Sequence, residues 1–543
     1  MIFTALRSAR IFSFCALAAC AVFFLCAPYA FSAEGEAGRW TSTAAIARTG
    51  GNADGYDATV YHRRAYVADI TTLTSGANSY SRIWFSTNRT GKWTRQLVAK
   101  IHDDSNTGGG AVPRIVVIPA SGHAVIVVMH AKDNNGSELL TFIEQPDGTW
   151  KQEQLPMETT AGAISAPSVP SLTAQGSMVA MAFSGAYSQS VAACPGQVSA
   201  FVTKLTEGSG GWSKPRDVTA DYCGPKGGYA DDPVVAFGPS GSLFMIYQCT
   251  GDPNGSPGAL CIRSGDMETE KVIGQNTANW SLGVHRLYDL IVGPEGTPHI
   301  VYILKSGDNR QRLMYATKTA GGWTEDEIAT GAHNTGVQAV SGPSMAQLMW
   351  PSLAIGASGP AVAYVGSVKY PLGGNTGLAT FLMRESGGKW SKPVNFTKSK
   401  FEDAAPTLGA SGGLLHLFMS REGGQNYLYA HEVPSPDITL SLSQTGRDNP
   451  VSFAAGKVIT LKGTVGPSVS QERIKACMEK RITASRWAAP RCTFDAAQPK
   501  GNKAEFKHDY PKTAAGHYRL RVEVGETADH FAGASQWSEF TVK

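Results

Sequence analysis

Residues 315–327 read YATKTAGGWTEDE: a short apolar-alternating run, a Gly-Gly turn, then a Trp that opens a second alternating run. Similar phrases recur as WFSTNRTGKWT at 84–94, TFIEQPDGTW at 141–150, FVTKLTEGSGGWS at 201–213 and FLMRESGGKWS at 381–391. The stretch is one member of an internal repeat, and a repeat is settled before any other reading.

Each unit also carries an apolar strand of common form. These strands are AYVADI (65–70), AVIVVMHA (124–131), MVAMAFSG (178–185), LFMIYQC (243–249), PHIVYIL (298–304), PAVAYVG (360–366) and LLHLFMS (414–420), seven in all. The Trp of the turn falls at Trp40, Trp93, Trp150, Trp212, Trp323 and Trp390, and a degenerate unit around GDMETEKV (265–272) fills the one double-length gap. Four short strands per unit with Gly-rich turns predict an all-β chain, a seven-bladed β-propeller rather than a solenoid. Calling the strands of a blade a to d from the axis outward, the last unit lacks a d strand, while the mature N-terminus supplies a spare one, GRWTSTAAIA. Joining them closes the ring and buries both strand edges.

After Val433 the repeat stops. Residues 434–543 continue in alternating strands such as DITLSLS, KVITLKGTV and HYRLRVEV. With Gly516 and Tyr518 placed as in a tyrosine corner, this segment resembles an immunoglobulin-like β-sandwich.

The chain begins with Arg7 and Arg10, an apolar run from Ile11 to Ala30, and small residues at Ala30, Ser32 and Ala33. This is the pattern of a secretory signal peptide over 1–33, which leaves 34–433 for the propeller and implies a periplasmic or extracellular protein. Leu17-Ala18-Ala19-Cys20 also resembles a lipoprotein box, which would anchor the chain through Cys20, but the apolar run continues beyond it as AVFFLC. No other segment has the ~20 apolar residues that span a bilayer. Loss of Arg7 and Arg10 lowers the formal charge from +4 to +2, which gives no electrostatic case for nucleic acid. A monomer is expected. Six cysteines remain outside the signal, and the expected pairings are Cys194–Cys223, Cys249–Cys261 and Cys477–Cys492.

The turn between strands c and d, with Ser or Thr before it and Gly-x-Trp after it, resembles the Asp-box repeat of bacterial sialidases and related propellers. WFSTNRTGKW is the nearest match, with Ser86 and Asn88 where the family has Ser and Asp. The resemblance implies a sialidase-like fold in which this turn is structural and lies opposite the active site. Chain direction gives the same answer, because strand c descends away from the end where the inner strands begin. The Trp residues are then expected between blades.

Function is expected where loops converge on the starts of the inner strands. Those positions hold Asp57, Arg114, Ser168, Asp231, Asp232, His285, Arg286, Tyr288, Asp289, Trp350, Glu402 and Asp403. Arg forks suit carboxylates and a Trp face suits a sugar ring, so a glycan or glycoconjugate is the expected partner. The sialidase resemblance implies Arg114 and Arg286 as clamps on an acidic sugar, Tyr288 as nucleophile and Asp57 or Asp232 as acid. His285, Trp350 and Asp403 complete the candidate ligand set. The family's Phe/Tyr-Arg-Ile/Leu-Pro signature is absent, so catalysis stays open. Three classes are carried forward: a carbohydrate-engaging propeller, a glycoside hydrolase or polysaccharide lyase acting on acidic glycans, and an extracellular protein-binding scaffold. No cofactor is expected. If a metal is bound, Asp231 and Asp232 are the pair that could hold a calcium ion.

Overall fold

The computed structural model describes residues 39–41, 44–48, 53–75, 78–103, 112–132, 136–187, 198–219, 229–250, 258–265, 268–277, 288–305, 311–330, 348–369, 376–396, 403–421, 426–433, 437–444, 447–448, 452–466, 472–501, 503–511, 513–525 and 533–543. Every regular element among them is a β-strand. The first part of the chain forms a seven-bladed β-propeller.

Each blade is an antiparallel meander. Blade 1 runs Ala53–Tyr61, Arg64–Ser75, Asn78–Thr87 and Thr94–Asp103, and blade 2 runs Val112–Val117, Ala124–Lys132, Gly136–Glu144 and Trp150–Gln154. The remaining inner strands are Ser171–Gln175, Tyr229–Phe237, Tyr288–Val292, Leu348–Gly356 and Asp403–Ser411. In blade 4 the degenerate unit supplies an outer strand, Glu268–Thr277. In blade 7, Arg39–Trp40 and Ala44–Arg48 pair antiparallel with Asn426–Val433 on the outside. The two chain directions therefore meet in one sheet.

Strand b is buried on both faces, as in Ala124–Val128, because another blade covers each side. That explains why b strands read as continuous apolar runs and not as alternation. Strand d is the blade's outer edge, and Gly322–Thr330 accordingly exposes four consecutive residues.

Seven apolar clusters each combine residues of two adjacent blades, one for every seam of the ring. The repeated tryptophans lie in these seams. Trp150 meets Phe85 edge-on at 5.1 Å, Trp390 meets Tyr315 at 4.9 Å, Trp93 meets Tyr429 at 5.5 Å and Trp40 meets Phe396 at 4.9 Å. In each pair the partner ring belongs to the preceding blade. Trp212 and Trp323 join the clusters of blades 2/3 and 4/5. The seam between blades 3 and 4 has no Trp among its described residues and packs Ala180, Ala182 and Ala200 against Leu243, Met245 and Tyr247.

The repeated turn also caps strand b. Asn88 Oδ1 accepts from the Ala65 amide at 2.7 Å, Glu144 Oε2 from Ala124 at 3.1 Å and Glu432 Oε2 from Leu415 at 2.9 Å. Both glutamates are buried, and an arginine of the preceding blade pairs with each: Arg89 with Glu144 at 2.5 Å, and Arg384 with Glu432. A buried carboxylate is tolerated when paired and hydrogen-bonded in this way.

From Asp437 onward the strands form a second sheet system with its own core, including Leu461, Ile474, Leu520 and Val522. Gly516–Val524 alternates buried and partly exposed residues, as a strand with one face on a core does. Cys477 stands directly opposite Cys492 across the Glu472–Thr483 and Arg491–Lys500 strands, and the two form a disulfide with Cα atoms 4.1 Å apart. Tyr518 donates its hydroxyl to the Ala514 carbonyl at 2.8 Å, tying the strand to the turn before it. Cys261 is also disulfide-bonded. The expected pairings of Cys194, Cys223 and Cys249 rest on side chains outside the described residues.

Candidate functional site

The seven inner strands surround one cavity of roughly 470 Å³, a volume within the range of small-molecule sites. Its wall is organised by one position per repeat. Asp57, Arg114, Ser171, Val234, Asp289, Ser352 and Thr407 stand opposite Ala68, Val127, Ala182, Ile246, Val301, Ala363 and Phe418 of their own b strands, so they are equivalent by register.

An inner strand has a ladder partner on one side only, so amides on its other edge need acceptors from elsewhere. The ring position of the neighbouring blade supplies them. Ile115 N donates to Asp57 Oδ2 at 2.8 Å, Val235 N to Ser171 Oγ at 3.2 Å, Leu353 N to Asp289 Oδ2 at 2.8 Å and Leu408 N to Ser352 Oγ at 2.9 Å. In every case the donor is the residue just after the next blade's ring position. Phe237 N adds a parallel bond to Thr173 Oγ1 at 3.3 Å.

Two departures follow from side-chain chemistry. Val234 offers no acceptor, and the Leu290 amide donates to Asp289 Oδ1 at 2.9 Å instead. Arg114 has donors only, and its Nη1 donates to the Pro113 carbonyl at 2.9 Å.

Two residues before the ring position several inner strands bulge. Register shifts fall between Asp231 and Val234 and between Met349 and Ser352. Inside these bulges Asp232 and Trp350 hold φ at 47° and 50°, and each precedes a proline. Blade 1 has Gly55 in the same place, with φ 149°. Left-handed backbone at a non-glycine residue costs on the order of 1–3 kcal/mol and persists where surrounding structure imposes it. Here Tyr288, itself buried, donates its hydroxyl to the Asp232 carbonyl at 2.6 Å and joins blade 5 to blade 4.

The structure therefore brings Asp57, Arg114, Tyr288, Asp289 and Trp350 to one cavity. Asp232 adjoins it through its carbonyl bond to Tyr288. Ser168 turns to its own blade, accepting from Ser184 N at 3.0 Å and from the Ser184 hydroxyl at 2.7 Å. His285, Arg286 and Glu402 lie outside the described residues, as do the side chains of Asp231 and Asp403. Sequence reasoning missed Ser171, Val234, Ser352 and Thr407 as wall residues. Pairing each inner strand in register with its own b strand finds all seven.

No protein-family model matches this sequence, and no curated protein matches it. Among solved structures the chain is similar to an alpha-L-arabinanase of Penicillium chrysogenum complexed with arabinobiose, at 11% identity over 72% of this chain and 98% of that one, with a TM-score of 0.39. It is similar to the polysaccharide lyase Uly1 at 11% identity over 74% and 92% of the two chains, with a TM-score of 0.44. It is also similar to a Trypanosoma rangeli sialidase in complex with the inhibitor DANA, at 10% identity over 79% and 88%, with a TM-score of 0.35.

Proposed function

We propose that the chain is an exported propeller that engages extracellular carbohydrate at its central channel. The observation that carries this reading is a single cavity whose equivalent wall positions hold different side chains in different blades: carboxylates, hydroxyls, one guanidinium and, at a bulge, an indole. Such a set supports one asymmetric site for a ligand rich in hydroxyls, with an aromatic face for a ring and polar groups that fix its orientation. A lectin with one binding site per blade would instead repeat its ligand residues around the ring.

In the same reading, 1–33 is an export signal, the strands from Arg39 to Arg48 close the propeller as the outer strand of blade 7, and 434–543 is an immunoglobulin-like sandwich. Arg286, His285 and Asp403 are proposed contacts at the mouth. Recognition is favoured over cleavage because Asp57 Oδ2 is engaged by the Ile115 amide and the Tyr288 hydroxyl by the Asp232 carbonyl. Groups held this way build the wall and are poorly placed to attack a substrate or pass it a proton.

A glycan array probed with the full chain, followed by chromatography of each bound glycan after incubation, tests both parts. Binding without product supports recognition. Appearance of shorter or unsaturated products makes the protein an enzyme, and silence across the array favours a protein-binding scaffold.

A further inference from the structure

We propose that the sheet formed by strands Glu472–Thr483, Arg491–Lys500 and Gly516–Val524 carries a second site on its outward side, for an acidic polysaccharide. Ile474, Ala476, Leu520 and Val522 belong to the core. By strand alternation Arg473, Lys475, Glu479 and Arg481 therefore face outward, and Arg519, Arg521 and Glu523 do so on the adjoining strand. Aromatic rings are interleaved with the guanidiniums. Arg519 lies 4.5 Å from the ring centre of Trp487 and 4.4 Å from that of Trp537, Arg521 4.7 Å from Trp537, and Arg473 4.5 Å from Phe494. The Cys477–Cys492 disulfide ties the strand of Arg473 to the strand of Phe494.

The other sheet around the same core serves as a comparison. On Asp437–Gln444, Ile459–Gly466 and Lys503–Tyr510 the outward positions hold residues such as Thr439, Thr460, Lys462 and Lys507, with no arginine and no aromatic ring among the described residues. Lysines and hydroxyls suffice to keep a face in water, whereas a planar guanidinium stacked on a ring suits edge-on binding of a carboxylate or sulfate. The arginine face holds one carboxylate in this way: Arg519, with two indoles against it, donates from Nε and Nη2 to Glu479 Oε2 at 2.7 and 2.6 Å. Other donors are uncommitted. Arg473 has its ring contact and no hydrogen bond or ion pair among the described residues, and Arg521 gives Nη2 to Glu523 while its Nε has no partner. Outward on these strands and on Ser538–Val542, the five cations Arg473, Lys475, Arg481, Arg519 and Arg521 stand against the three carboxylates Glu479, Glu523 and Glu539. Arg473 lies four residues, about 13 Å, along the strand from Cys477, which stands opposite Arg521. A ligand engaging both arginines carries acid groups at intervals, as an acidic polysaccharide does. Phe494, 57% exposed, and Trp537 offer sugar rings an apolar surface beside those arginines.

Calorimetric titration of the full chain with a heparin fragment and an oligogalacturonate tests the proposal, with a neutral xylan fragment, polyglutamate and a single-stranded oligonucleotide as controls. At least one acidic polysaccharide is expected to bind more tightly than all three controls. Arg473→Lys combined with Arg521→Lys keeps the charge and removes the planar forks, and should weaken that probe roughly tenfold or more. Arg473→Lys alone, at an exposed position, should weaken it about threefold and keeps the test open if the pair fails to fold. Lys462→Gln, on the other sheet, should leave the affinity unchanged. The inference is overturned by any of four results: no binding of either acidic probe, a control that binds as tightly, unchanged affinity in the folded lysine variants, or an equal loss in Lys462→Gln. These strands form no part of the channel wall, so the channel reading stands or falls separately, on the glycan array.

Discussion

At six of the seven seams between blades a tryptophan from the repeated turn sits in the apolar cluster, and where ring pairs are resolved each indole meets an aromatic ring of the preceding blade. Along the channel the equivalent positions read Asp, Arg, Ser, Val, Asp, Ser and Thr. The seams solve one packing problem repeatedly, so one residue type serves at six of the seven. The channel wall combines two tasks. Acceptors there stitch one inner strand to the next, and what is not spent on stitching faces the cavity. Repetition marks the scaffold, and variation at a fixed register marks the site.

Substitutions at the two regions should separate them. Trp212→Ala removes a buried indole from the blade 2/3 cluster and should lower unfolding free energy by about 3–5 kcal/mol, measured by denaturant unfolding. A loss below 1 kcal/mol would mean the seams do not depend on their tryptophans. Asp289→Ala strips acceptors from the amides of Leu353 and Leu290, and roughly 2–3 kcal/mol should be lost. Full retention of stability would show that water replaces the stitch.

A charge buried inside a blade, away from seam and channel, behaves differently again. Asp69 of blade 1 bonds Arg95 at 2.5 Å, and burial pushes its carboxyl up to about 7 against the pull of that guanidinium. The folded state then holds the proton more tightly than the unfolded chain. Its stabilising contribution is complete below the ordinary carboxylate range and is lost as pH rises through 7, by about 1 kcal/mol between pH 6 and 8. Asp69→Asn should flatten that part of the stability profile, and an unchanged slope would place the titration elsewhere. The smallest effect belongs to Ser171→Ala, whose neutral acceptor serves one amide, at about 0.5–1 kcal/mol in the same unfolding assay.

The seams were legible in the sequence because a Gly-x-Trp turn and a buried b strand recur from unit to unit, and both are demanded by packing. Cys477 and Cys492 were legible as a pair for a similar reason: they face each other across neighbouring strands. The channel was legible only in outline. Asp57, Asp289 and Trp350 stood out as polar or aromatic residues at inner-strand starts, but nothing local distinguishes an acceptor that binds the next blade's amide from one that faces a ligand. Ser171 and Ser352 look like ordinary strand residues until register places them on the ring. The left-handed backbone of Asp232 and Trp350 was also hidden, since a non-glycine residue gives no signal of positive φ before the bulge is seen.

A crystal structure of the full chain soaked with the best-binding oligosaccharide measures the central claim most directly. The account predicts one sugar chain in the channel, with a ring against Trp350 and hydroxyls toward the wall positions of blades 5 to 7. Sugar bound at the outer strands, or on the sheets that follow Asp437 with the channel empty, would contradict it.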